Sequence, residues 1–144
     1  MDSLKGILKL PLIVAAVVIV LRVVTERAGL PDQFNNLLSA VVLHCLLGPI
    51  YFSLRIAKSG APEPYLTLVK LVAVYVVLVR AMVIPTYWLA HIYGWQESRF
   101  AGLGPESSPF RAYIGVPFQT AAMWIVVSIV FGGILGSVMI ALGR

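Results

Sequence analysis

Few side chains in this chain are able to do chemistry, and an arginine stands out among them. Arg80 lies in an apolar run with roughly 22–24 Å of helix toward Pro64 on one side and toward Trp95 on the other, at about 1.5 Å per residue. Insertion scales put a guanidinium that deep in a bilayer at a cost of roughly 2.5–3.5 kcal/mol, and snorkelling covers only part of such a distance. Arg80 therefore needs carbonyls, hydroxyls, water, an anionic lipid or a carboxylate from another chain. Pro85 supplies one acceptor nearby, because it has no N–H to offer the Ala81 carbonyl.

Tyr87 and His91 follow Arg80 at helical spacing and share its face. His44, Tyr51 and Arg55 repeat the same offsets in reverse order. Set opposite one another in an antiparallel hairpin, His44, Tyr51, Arg80, Tyr87 and His91 would form a polar seam, suited to an anion or a buried hydrogen-bond network. The two histidines also raise haem b. Axial ligands need nearly equal depth, which His44 and His91 lack within one chain, so a haem fits only between chains. Cys45 stands alone in an apolar segment and reads as a small buried hydrophobe. No paired carboxylates, HExxH, Ser/His/Asp order or phosphate-cradling loop occurs, so no catalytic or metal-ligating residue is assigned.

The elements that must hold these residues are membrane helices. From Ala112 to Gly143 no side chain carries a formal charge, and about 20 apolar residues suffice to cross a bilayer. Hydrophobic residues make up 60% of the 144, and charged ones 12% against about 25% in soluble domains. The expected fold is an all-α, four-transmembrane-helix bundle forming a single membrane domain over residues 1–144. Its spans fall at about 7–24, 35–56, 64–93 and 113–142, with a polar loop at 95–109. Gly48-Pro49 should kink the second span, and the third should tilt, bend at Pro85 or project from the lipid. Ser108-Pro109 has the residue types of an N-cap and first turn. All six acids are expected in loops or at the terminus, which disfavours a proton relay of membrane carboxylates.

More Lys and Arg fall on the side of the two termini (Lys5, Lys9, Arg55, Lys58, Lys70, Arg144) than on the other (Arg22, Arg27, Arg99, Arg111). The positive-inside rule then sets both termini in the cytoplasm. The net charge of +5 thus reads as topology rather than as a nucleic-acid surface. In the last span Ser128, Gly132 and Gly136, with Gly133 and Ser137 alongside, make a small-residue ridge for close helix packing, within the chain or across an interface. An internal echo aligns the run ending in Arg22 with the run ending in Arg80, as a tandem duplication or a Val/Leu/Ile alphabet would.

The expected partners are the bilayer, an anionic lipid, and a second copy or a membrane partner subunit. The leading functional expectation is a non-catalytic membrane subunit or scaffold. The alternative is a small oligomeric carrier or channel for an anionic or amphipathic solute or lipid, using Arg80 and His44. A lipid- or quinone-handling membrane enzyme is the third.

Overall fold

The computed structural model describes residues 3–37, 39–60, 62–95, 100 and 105–143. Of the expected polar loop, 96–99 and 101–104 lie outside the described residues, as does Arg144. Among those described, the chain is all-α, and four helical segments are long and apolar enough to cross a membrane.

Helix α1 (Ser3–Arg27) runs past the expected 7–24 at both ends. One consequence corrects the sequence reading: Glu26, expected in a loop, sits buried in its last turn and pairs with Arg22 at 3.4 Å. Ile7, Pro11 and Ala15 form a buried stripe at four-residue spacing, while Ile13, Val17 and Val20 face outward.

The second long segment is interrupted twice where one kinked helix was expected. After α2 (Asp32–Leu37), Ser39 adopts an extended conformation and its Oγ accepts the Val41 N–H at 3.1 Å. This N-cap satisfies an otherwise orphaned donor and restarts the chain as α3 (Ala40–Val42). A π-helical turn follows over Leu43–Leu47, closed by the Gly48 N–H on the Leu43 carbonyl, and leads into α4 (Gly48–Ser59). The expected kink thus takes the form of a widened turn just ahead of Pro49, whose ring would press on a carbonyl in an unbroken α-helix.

The same device recurs over Arg111–Gly115, where the Val116 N–H bonds the Arg111 carbonyl one residue ahead of Pro117. Pro117 leaves the Tyr113 carbonyl without its helical donor, and the Trp88 indole N–H supplies one at 2.8 Å. Ser108 begins this segment, its Oγ accepting the Arg111 N–H at 3.2 Å.

Helix α5 (Pro64–Tyr93) is the hub, packed against α1, α4 and α6 (Val116–Gly143). Left-handed glycines end α4 and α5, Gly60 at φ 68 and Gly94 at φ 67, where an L side chain would be strained. The tightest seams join α6 to α4 and α5. A Cβ on Gly132 would stand 2.7 Å from Pro49 Cγ, and one on Gly136 would stand 2.6 Å from Leu68 Cδ2. Gly48 likewise lets α4 approach the Tyr75 ring, with 2.6 Å to Cε2 for an added Cβ. The ridge of Ser128, Gly132, Gly133 and Gly136 is therefore turned into this chain's own bundle, with Ser137 at its half-buried margin.

Candidate functional site

All four long segments contribute to one polar cavity of about 260 Å³. Helix α1 brings Ile19 and Arg22 on one face, three residues apart. The restart at Ser39 brings that residue's hydroxyl and the first turn of α3. Helix α5 brings Arg80, Val83 and Tyr87, and α6 brings Thr120 and Trp124, again at helical spacing. The volume is well above the roughly 10–15 Å³ that one water needs.

Two arginines, Arg22 and Arg80, are among the residues that line the cavity, and Arg22 is ion-paired with Glu26 at 3.4 Å. Arg80 is 5% exposed. Glu26 stands behind Arg22, its Oε2 accepting from Nε, and holds that side chain against the helix it grows from. Closer to the helix ends, Arg27 lies over the Trp95 ring, 5.2 Å from the centroid. Tyr87 of α5, Thr120 of α6 and Ser39, just ahead of α3, are the hydroxyl-bearing residues of the lining.

The expected seam is divided into separate places. Arg80 and Tyr87 share the cavity. His44 is buried against α6, where Nδ1 and the Ser128 hydroxyl hydrogen-bond each other and the Cys45 Sγ lies 3.2 Å from the same hydroxyl. The His44 ring lies against Trp124, 6.2 Å between centroids, and is not among the residues that line the cavity; its Nε2 is enclosed with no hydrogen bond among the described residues. Tyr51 turns the other way and accepts a hydrogen bond from exposed Arg55 at 3.0 Å. His91 meets Ser107 at 3.3 Å through Nδ1 and stands edge-on to Tyr113.

The physical reason for this division is the π turn at Leu43–Leu47. It accommodates one extra residue, which rotates everything after it by about 100° relative to an unbroken α-helix. His44 and Tyr51, on one face by ideal spacing, therefore look in different directions. The His44–Ser128 contact has the residue types of a base and a nucleophile. Both side chains are wholly buried, and the pair serves as a polar bond between α6 and the π turn.

Arg22, Ser39, Thr120 and Trp124 were not expected in the site. For Arg22 a signal existed, since the internal echo aligns it with Arg80 and both line one cavity. Among the described residues no three His, Cys, Asp or Glu converge on a point where a metal ion could sit. Comparison with protein families, with curated proteins and with solved structures finds nothing that matches this chain.

Proposed function

We propose that this chain is an integral membrane protein that binds an anionic or amphipathic solute or lipid between its four long helices, in the manner of a small carrier. The single observation that carries the reading is a cavity of about 260 Å³ reached by all four segments and lined by Arg80 and by Arg22, which Glu26 pairs. Such groups are costly within a bilayer and, where present, mark ligand pathways by default. Four long apolar segments bring the two ends of the chain to one side, and the excess of Lys and Arg there supports a cytoplasmic placement.

The subunit or scaffold reading leaned on the α6 ridge. Pro49 and Leu68 of this same chain face Gly132 and Gly136, which weighs against the ridge as a partner surface, and Arg80, the other contact that reading drew on, lines the cavity. The enzyme reading draws on the histidines, and neither His44 nor His91 is among the residues that line the cavity.

The test is purification in mild detergent followed by native mass spectrometry of the wild type and Arg80→Leu. The wild type should retain an anionic small molecule or lipid that the variant loses, with helicity unchanged. Equal retention by a folded variant would overturn the reading.

A further inference from the structure

We infer that a groove on the outside of the bundle, between α1 and the second long segment, holds one acyl chain of an anionic phospholipid whose phosphate sits at Arg55. The inference rests on the membrane placement proposed above and not on the cavity, which is a separate space lined by a later stretch of α1.

The groove, of about 220 Å³, is lined by Leu10 and Val14 of α1, Leu43 and Leu47 of the π turn, Tyr51 and Tyr75. It exists because α1 packs chiefly on α5 and only lightly on α4. Tyr75 is buried at its floor and donates its hydroxyl proton to the Pro11 carbonyl at 3.2 Å, so it offers the groove a ring rather than a polar group. Leu10, Val14 and Leu47 are 55%, 40% and 53% exposed, which leaves the side open to the hydrocarbon of a bilayer. From Leu43 to Tyr51 the wall runs about 12 Å at helical rise. One leaflet of a roughly 30 Å hydrocarbon core spans about 15 Å. The groove therefore accommodates most of one chain from one leaflet.

Tyr51 carries the polar edge. Its hydroxyl accepts from Arg55 Nη1 at 3.0 Å, and the guanidinium carbon lies 5.8 Å from the ring centroid. Arg55 is exposed, and Tyr51 is its hydrogen-bond partner among the described residues. A guanidinium has five N–H donors in a planar fork, so most are left for a phosphate. Arg55 stands four residues before the end of α4 at Ser59, about 6 Å along the axis, where hydrocarbon gives way to headgroups. The two segments run antiparallel: Ile19 and Arg22 share the cavity with Ser39 and Val41, while Leu10 and Val14 share the groove with Leu43 to Tyr51. Exposed Lys9 of α1 therefore falls at the Arg55 end. Glu63, the next acid in the chain, is exposed and makes no ion pair with Arg55. An apolar tail alone would match the groove but not this edge, whereas a lipid with a negatively charged head matches both.

The experiment titrates the whole protein, in mild detergent, with phosphatidylglycerol and with phosphatidylcholine of the same chains, and counts bound lipid by native mass spectrometry. It is run in the wild type and in Arg80→Leu, so that lipid held in the cavity is read apart from lipid held in the groove. In Arg80→Leu one phosphatidylglycerol should remain, bound roughly tenfold more tightly than phosphatidylcholine. Arg55→Gln should remove that preference, and Arg55→Lys, which keeps the charge, should retain most of it. Val14→Trp and Leu47→Trp, at exposed positions, should weaken both lipids about tenfold with helicity unchanged. If the preference survives Arg55→Gln, or if the folded tryptophan variants bind both lipids as the wild type does, the groove inference is overturned while the cavity reading stands. Loss of all bound lipid from folded Arg80→Leu would also overturn it, leaving the cavity as the lipid site. Equal binding by wild type and Arg80→Leu, with the Arg55→Gln effect intact, would uphold the groove and overturn the cavity reading instead.

Discussion

The two sides of this bundle differ in how closely their helices approach. Where α4, α5 and α6 meet, glycines bring backbones against neighbouring side chains, and 50% of the apolar window of α5 is buried. On the α1 side only 17% of the corresponding window is buried, and both the polar cavity and the apolar groove open there. Lipid is as apolar as leucine, so packing within a membrane depends on close van der Waals fit rather than on a hydrophobic drive. The close approaches among α4, α5 and α6 therefore hold the fold together, while the open spaces lie where α1 meets those same helices. The difference teaches that α5 and α6 pack tightly through one face and line the cavity with another.

The largest expected effect tests the tight side. Gly48→Ala places a Cβ 2.6 Å from Tyr75 Cε2 and 2.9 Å from the Leu43 carbonyl oxygen. Tyr75 is held by its bond to Pro11 and by an edge contact with Phe52 at 5.4 Å, so the ring has little room to retreat. A loss of about 3 kcal/mol is expected, read as earlier unfolding of helicity in a detergent titration. Gly133→Ala is the control, since its nearest neighbour, Val69 Cγ2, would stand 4.0 Å away. Equal stability of the two variants would erase the contrast between the sides.

Arg80→Leu sharpens the comparison from the cavity, because its two effects should have opposite signs. Anion binding should fall roughly 10- to 100-fold with the loss of a charged donor. Thermal stability in detergent should hold or rise, by up to about 2 kcal/mol, because a guanidinium is replaced by an apolar side chain at depth. A variant that unfolds early would show that Arg80 is a structural member of the tight side after all.

How far the chain could be read in advance follows the same division. The four long helices were legible because apolar length is a property of composition, which needs no knowledge of neighbours. Arg80 and Tyr87 were legible as partners because α5 is an unbroken helix between them, so ideal spacing holds. His44 and Tyr51 were not, because Pro49 forces a widened turn between them and spacing no longer gives direction. Thr120 and Trp124 were hidden for another reason. Helix α6 is apolar almost all round, so which face turns inward is decided by the glycines that meet α4 and α5, not by any polar stripe. Arg22 was counted only as a charge on the side away from the termini, since nothing local distinguishes such an arginine from one that turns back into the bundle.

A smaller effect belongs to the polar bond on the tight side. Ser128→Ala removes the partner of His44 Nδ1, and interhelical hydrogen bonds of this kind are worth about 0.6 kcal/mol and at most about 1.7. A loss within that range is expected by thermal unfolding, with anion binding intact because Trp124 still walls the cavity. A large drop in binding would mean that His44 and Ser128 act on the ligand directly, joining the two sides.

The smallest expected effect isolates how a proline is tolerated where α5 meets α6. Trp88→Phe keeps most of the ring but removes the indole N–H from the Tyr113 carbonyl. That carbonyl lacks a helical donor only because Pro117 follows it by four residues. The loss should be about 0.5 kcal/mol, since Trp88 is partly exposed and the reference state in detergent also finds partners. Its cause can be separated from ring packing by a second change. With Pro117→Ala the backbone regains an N–H able to serve Tyr113, so Trp88→Phe should become neutral in that background. A double-mutant cycle by thermal unfolding would read the coupling directly. If the two losses simply add, the indole contributes through packing against Tyr113 alone, whose ring centroid lies 6.5 Å away. The widened turn would then satisfy its own carbonyls without help from α5.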